Sequence, residues 1–186
     1  MIKVLEKCKE VKEKIEFDSY SPFQIELSSH TLGLDPVFHW RATGNDYLLD
    51  FGIHSKTAEL VSINLTLVPN KWVITDKLVS FSGKPVLGLP ICDIKPWLDR
   101  IGPKEFGIDE ALFTIDSEMK FKLSVTESIC QVIVSEQEPV RFFVNERVHI
   151  GISESNEICF IELGQLSTTE VENLALSVGL KEVPAK

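Results

Sequence analysis

The sequence predicts an α+β protein rich in β structure. Two related antiparallel β units form a sheet or a sandwich, and a helix lies near each end of the chain. Short runs of alternating apolar and polar residues, typical of half-buried strands, fill most of the sequence. One strand–turn–strand pattern occurs twice, about a hundred residues apart. Residues 83–103 concentrate proline and glycine between the two copies, which predicts a connection there.

Residues 3–16 are predicted to form the N-terminal helix. The apolar residues of this segment recur at spacings of four, three and four among charged neighbours: Val4, Cys8, Val11 and Ile15. That spacing places them on one stripe of a helix. A strand hairpin is the alternative, because β-branched residues also suit a sheet.

The repeated pattern is a hairpin with one apolar and one polar face. The apolar positions of the first copy are Leu49, Phe51, Ile53, Val61, Ile63 and Leu65, and those of the second are Val148, Ile150, Ile152, Cys159, Ile161 and Leu163. Gly52 matches Gly151, and Glu59 matches Glu157. A glycine inside a strand usually marks a bulge or a close approach by another group. Internal duplication is one interpretation, and chance likeness between amphipathic hairpins is the other.

The length of the chain favours one compact domain over residues 1–186. A chain of 186 residues can bury roughly 70% of its unfolded surface, so it needs neither disulfides nor a metal to fold. If the hairpins are duplicated, this domain contains two similar halves, 17–82 and 104–166, joined by the connection 83–103.

The C-terminal helix is predicted from its ends and its apolar stripe. Ser167 and Glu170 form a capping box at the N-terminus. Val171, Leu174 and Val178 make the buried stripe, and Gly179 suits a left-handed residue at the C-terminal end.

The charge of the chain limits its partners. The net charge of −9 and the isoelectric point near 5.0 disfavour binding to nucleic acids or to anionic membranes. The same charge is compatible with a basic protein partner, although acidity also serves solubility alone. The first residues show no secretory signal and no apolar run approaches the length of a membrane span, so we expect a cytoplasmic protein.

Histidine and cysteine are too scattered to predict a metal or a cofactor site. None is paired at a metal-ligand spacing on one element: His30, His39, His54, His149, Cys8, Cys92, Cys130 and Cys159. We expect solvated histidines on the surface. The cysteines lie among apolar or helix-like neighbours, which suits reduced, buried thiols.

Asp46 and Asp50 are the candidate acid–base residues. They flank the first hairpin, and in one strand they would share the face that carries Gly52. Two carboxylates can act as acid and base where their surroundings separate their pKa values. Carboxylates on a solvated sheet face explain the same spacing. We therefore assign no catalytic residue.

The first hairpin, Leu49 to Leu65, resembles those of small acidic bacterial immunity proteins of polymorphic toxin systems. The resemblance covers about 20 residues in each copy and implies an inhibitor whose acidic surface meets a basic toxin domain. It assigns no functional residue. The predicted function is a non-catalytic protein-binding module. The alternatives are a small-molecule-binding β domain or minor hydrolase, and a structural domain of a larger assembly.

Overall fold

The chain forms fifteen strands and two α-helices in the residues that the computed structural model describes, which are 1–28, 35–74, 85–102 and 110–180. The strands are β1 (Val4–Lys9), β2 (Lys12–Glu16), β3 (Phe23–Ser28), β4 (Val37–Thr43), β5 (Leu48–His54), β6 (Leu60–Leu67), β7 (Val73–Ile74), β8 (Pro85–Leu87), β9 (Leu89–Cys92), β10 (Thr114–Ser117), β11 (Lys122–Val125), β12 (Cys130–Ile133), β13 (Arg141–Val144), β14 (Val148–Ile152) and β15 (Ile158–Leu163). The helices are α1 (Lys95–Ile101) and α2 (Thr168–Ser177), with 3-10 turns at Asn70–Trp72 and Glu110–Phe113. Neither α-helix in this part of the chain is long and apolar enough to cross a membrane.

The predicted N-terminal helix is wrong, because residues 3–16 form β1 and β2 instead. The spacing of four, three and four spans two strands, which are separated by the break at residues 10–11. Val4 of β1 pairs with Cys92, and Ile15 of β2 pairs with Ile25. These partners outside residues 3–16 supply the backbone hydrogen bonds, and such pairing outweighs a weak helical preference.

The strands form two larger sheets and one separate pair. The order of the six-stranded sheet, called the first sheet below, is β10–β4–β5–β6–β3–β2. The order of the seven-stranded sheet, called the second sheet, is β8–β13–β14–β15–β12–β11–β7. Each sheet contains a meander of three consecutive strands, β4–β5–β6 in the first and β13–β14–β15 in the second. Beside the last strand of each meander lie two strands that come earlier in the chain, β3 and β2 or β12 and β11. Beside the first strand of each meander lies a parallel strand, β10 or β8. The β-rich prediction is confirmed.

One apolar core lies between the two sheets. It contains Phe51 and Ile63 of the first sheet, Ile150 and Ile161 of the second, and Leu174 of α2, all fully buried. The arrangement is therefore sandwich-like, with α2 packed against it. A smaller apolar cluster of Phe142, Cys159 and Phe160 lies on the outer face of the second sheet.

Both repeated hairpins contain a bulge directly after the matched glycine. The pairing shifts between Gly52 and Ile53 in one hairpin and between Gly151 and Ile152 in the other. A Cβ atom on Gly151 would lie 2.9 Å from the Cβ of Phe160, and one on Gly52 would overlap the hydroxyl of Ser62. The sequence-based expectation of a bulge and a close approach is confirmed at both glycines.

The separate pair, β1 and β9, lies between the tips of the two hairpins and is called the central pair. The N–H of Cys92 donates to the carbonyl of Ala58 at 2.8 Å, and the N–H of Val4 donates to that of Asn156 at 2.9 Å. Ala58 and Asn156 hold the same left-handed conformation, with φ of 60° and 61°. The matched Glu59 and Glu157, which follow them, also pair with the central strands.

The predicted connection 83–103 contributes to the sheets in its described part. It contains β8, an edge of the second sheet, β9 of the central pair, and α1. Residues 83, 84 and 103 lie outside the described residues. Strands also cross between the predicted halves, since β10 pairs with β4 and β7 with β11. The extent of a single domain over residues 1–186 stays a prediction.

The C-terminal helix forms as predicted. Ser167 and Glu170 make both bonds of the capping box, and Val171 and Leu174 are buried. Gly179, which follows the helix, has a φ of +70°. The helix is held to the second sheet by Arg147, whose Nη1 and Nη2 donate to the Glu170 carboxylate at 3.1 and 2.9 Å.

Candidate functional site

The outer face of the first sheet carries polar side chains on every strand. Alternation along β4 sends Phe38, Trp40 and Ala42 into the core and leaves His39 and Arg41 facing outward. The pairing of the strands then aligns one polar residue from each in a continuous row: Asp116, Arg41, Asp50, Asn64, Gln24 and Glu16. Four members of this row line the candidate site: Arg41, Asp50, Asn64 and Gln24.

An open cleft of about 720 Å³ lies over this row. Its floor is polar and consists of Gln24, His39, Arg41, Asp50, Asn64 and Thr66. Its walls are largely apolar and consist of Pro36, Val37, Leu48, Phe113 and Thr114. Polar groups that converge beneath apolar walls are typical of binding sites.

His39 and Asp50 form the one histidine–carboxylate pair among the described residues that line the cleft. The Nδ1 atom of His39 lies 3.1 Å from each carboxylate oxygen of Asp50. The side chain of Asp50 is 14% exposed and that of His39 is 38% exposed. A carboxylate in this position orients the imidazole and accepts its N–H.

Arg41 is held beside this pair by Asp116. Its Nε donates to one oxygen of Asp116 at 2.7 Å, and its Nη2 donates to the other at 3.1 Å. Hydrogen bonding to Asp116 raises the pKa of the Arg41 guanidinium, and the charges of Asp116 and Asp50 add to the effect. The charge of Arg41 is therefore largely committed to Asp116.

The two candidate acid–base residues are not brought together in one strand. Asp50 lies in the cleft, whereas Asp46 is exposed in the turn before β5 and is not among the residues that line the cleft. The turn at residues 44–47 separates Asp46 from the alternation of the strand. The prediction that they share a strand face is therefore wrong.

The histidines differ from the solvated side chains that the sequence predicts. His54 is only 6% exposed, and its Nδ1 accepts from the N–H of Thr57 at 3.2 Å inside the hairpin turn. His149 Nδ1 lies 3.0 Å from Glu162 Oε1. His30 lies outside the described residues. The carboxylate partners were missed because strand register, which a spacing along the chain does not reveal, brings Glu162 opposite His149 and Asp50 diagonally across from His39.

The corresponding face of the second sheet is closed. Around Gly52 the strands place His39, Ser62 and Glu26 in one row, whereas around Gly151 they place Phe142, Phe160 and Ile133. The two phenylalanines are buried in the small outer cluster. The same position in the fold is therefore polar and open in the first sheet, and apolar and filled in the second.

The polar row of the second sheet is satisfied internally. Gln131 Nε2 donates to Glu162 Oε2 at 2.8 Å, and His149 bonds the other oxygen of Glu162. Burial raises the pKa of Glu162, but the hydrogen bonds from His149 and Gln131 together outweigh it, so the pKa is lowered overall. In the first sheet, by contrast, the carboxamides of Gln24 and Asn64 make no hydrogen bond within the described part of the chain.

The described cysteines and potential metal ligands form no second site. Cys92, Cys130 and Cys159 are free and buried. Burial raises the pKa of Cys92 to about 12 and that of Cys159 to about 11, and it raises the pKa of Cys130 as well. Thiols of this kind are poor nucleophiles. No group of three or more metal-ligating side chains occurs in the described ranges.

No protein-family model matches the chain, and no curated protein matches it significantly.

Proposed function

We propose that the protein is a non-catalytic protein-binding module that binds a basic partner through the outer face of its first sheet, as an immunity-type inhibitor would. One observation carries this proposal: the row around Gly52 is polar and open, where the row around Gly151 is filled by Phe142 and Phe160. A polar face left open in one sheet and closed in the other favours a binding role for the open one. The net charge of −9 favours a basic partner.

Internal duplication of the β unit is part of this proposal. Three features support it: the same order of five strands in both sheets, namely a meander and the two strands that precede it in the chain, a bulge after each matched glycine, and a left-handed residue at each hairpin tip. Under this interpretation one copy keeps its outer face packed and the other has acquired a binding surface. We also propose a cytoplasmic location, which the free, buried thiols support.

Charge reversal on the first sheet tests the proposal. We would incubate the tagged protein with lysate of its source organism and quantify bound proteins by mass spectrometry. The variant Glu16→Lys/Glu26→Lys changes two exposed acids of the outer face. We expect a basic protein bound by the wild type to be lost from this variant, and its retention to weaken with salt, because opposite charges across an interface attract.

The matched control is Glu136→Lys/Glu138→Lys, which makes the same change in charge in the exposed segment before β13. This control should retain the partner. Equal loss from both variants, or enrichment of neutral and acidic proteins only, would contradict the proposed function.

A small-molecule-binding domain is the second candidate. The convergence of His39 and Asp50 in a cleft of about 720 Å³ favours it, since ligand sites of roughly 300–1,000 Å³ with few polar groups are common. Hydrolysis is less favoured. Among the described residues of the cleft the hydroxyl side chains are Thr66 and Thr114, and neither is bonded to His39.

A further inference from the structure

We infer that the cleft of the first sheet receives one arginine side chain of the protein partner, with Asp50 as its counter-charge. This inference rests on the proposed function and names the chemistry by which the partner is recognised. It follows from the charges of the cleft, from its unused hydrogen-bonding groups and from the shape of its walls.

Asp50 is the acidic residue that lines the described cleft, and the other charged side chain there, Arg41, is bound to a carboxylate outside the lining. Arg41 is the cation on its floor, and its guanidinium already forms two hydrogen bonds with Asp116. Asp116, which is not among the lining residues, compensates the charge of Arg41, so with histidine counted as neutral Asp50 keeps its negative charge. Asp50 is the carboxylate that lines the cleft, and its limited exposure strengthens attraction to an incoming cation, because water screens it less.

The unused hydrogen-bonding groups lie beside Asp50 in the same row. Asn64 pairs with Asp50 across the strands, and Gln24 pairs with Asn64. Each carboxamide offers an oxygen that accepts hydrogen bonds. A guanidinium presents five N–H donors in one plane, so a carboxylate and two adjacent carboxamide oxygens can accept several of them at once.

The walls suit the rest of an arginine side chain. Leu48 and Phe113 line the cleft together with the polar residues. The methylene stem of arginine packs on apolar surface, and its planar head stacks on aromatic rings. Lysine has a compact, strongly hydrated charge and would use fewer of these groups. An anionic ligand would meet Asp50, which disfavours it.

The test is a titration of the full-length, ¹⁵N-labelled protein with N-acetyl-arginine methylamide, followed by NMR. The matched probe is N-acetyl-citrulline methylamide, which has nearly the same shape but no charge. We expect saturable shifts at the amides of Leu48, Asp50 and Asn64 with the arginine probe, and affinity at least about tenfold weaker with citrulline. Equal affinity for the two probes, or shifts away from the cleft, would overturn the inference.

Two nearly isosteric variants complete the test. Asp50→Asn should abolish the shifts, whereas Asp46→Asn, which removes an exposed carboxylate outside the cleft, should preserve them. The dispersion of the same spectra reports whether each variant is folded. If Asp50→Asn is misfolded, Asn64→Ala takes its place and should weaken binding of the arginine probe several-fold. Unchanged binding by folded Asp50→Asn, or by folded Asn64→Ala, would overturn the inference.

The lysate experiment separates this inference from the proposed function. A partner that binds Asp50→Asn as strongly as the wild type, yet is lost from Glu16→Lys/Glu26→Lys, would overturn the arginine site and leave the proposed function intact. Absence of any basic partner would contradict the proposed function whatever the probes show.

Discussion

The two matched glycines, Gly52 and Gly151, each lie beside a bulge, but the atoms that surround them differ in how far they can move. At Gly151 a new Cβ would meet the Cβ atoms of Phe160 and Pro139, both at 2.9 Å. These atoms are fixed close to the backbone and cannot turn away. At Gly52 the obstructing atom is the hydroxyl of Ser62, at the end of a side chain that can rotate. The same substitution should therefore have unequal costs.

We expect Gly151→Ala to lower the free energy of unfolding by about 1–3 kcal/mol, as overpacking of a filled site does. Gly52→Ala should cost less, and Ser62→Ala should relieve most of its cost. Urea denaturation of the single and double variants measures both effects. Equal destabilisation by the two glycine substitutions would show that the obstructing side chains do not decide the cost.

Single residues of the site were only partly predictable from the sequence. The alternation around Gly52 correctly placed a bulge and a close approach, because both follow from the missing side chain. The pairing of His39 with Asp50 was not predictable, since it depends on which residues of β4 and β5 lie opposite each other. A shift of one residue in that register would turn one of the two side chains into the core.

Among the elements, α2 has a pH-dependent attachment. Burial raises the pKa of Glu170, but hydrogen bonds from Arg147 and Ser167 and the charge of Arg147 outweigh it, so the pKa is lowered overall. A carboxylate whose pKa is lowered by folding stabilises the fold above its unfolded value of about 4.3, and that contribution is lost as the pH falls through the folded value. Glu162 acts in the same direction.

We therefore expect the free energy of unfolding to fall as the pH is lowered from about 5 to 3. Glu170→Gln should lower stability at neutral pH by on the order of 1 kcal/mol and reduce this slope. The control is Glu172→Gln, an exposed position of the same helix. Denaturation curves at several pH values measure the slope. An unchanged slope in Glu170→Gln would contradict the assignment.

Elements with local signals were predicted better than elements with distant partners. The capping box and apolar stripe of α2 lie within a dozen consecutive residues, so the sequence contains all of its determinants. β1 is bonded to residues about ninety and a hundred and fifty positions away, and nothing in residues 3–16 indicates them. The apolar spacing of residues 3–16 was compatible with a helix and with strands, and the distant partners of β1 decided in favour of strands.

At the scale of the whole molecule, the two sheets share strands and a core. β10 completes the first sheet from the second half of the chain, and β7 and β8 complete the second sheet from residues before it. One apolar core includes residues of both sheets, so separating the two halves would expose buried side chains of each. We therefore expect both halves to unfold in a single transition.

Two probes in different sheets test this expectation. In a Trp72→Phe variant, which removes the tryptophan beside β7, Trp40 and Trp97 report on the first sheet and α1 through fluorescence, and Cys130 and Cys159 report on the second sheet through labelling of their thiols. In urea, fluorescence and thiol labelling resolved by mass spectrometry should give the same midpoint. Labelling of Cys130 and Cys159 while the tryptophan signal remains native would instead define residues 104–166 as an independent domain.

The position of the central pair also determines the order in which its contacts can form during synthesis. β1 is made before its strand partner β9, which ends at Cys92, and before Asn156, to which its other edge is bonded through Val4. β1 must therefore stay unpaired on that edge until the hairpin of β14 and β15 has emerged from the ribosome. Contacts so distant along the chain slow folding and prolong the exposure of unpaired strands. The central pair thus acquires its final contacts only after β14 and β15 have been synthesised.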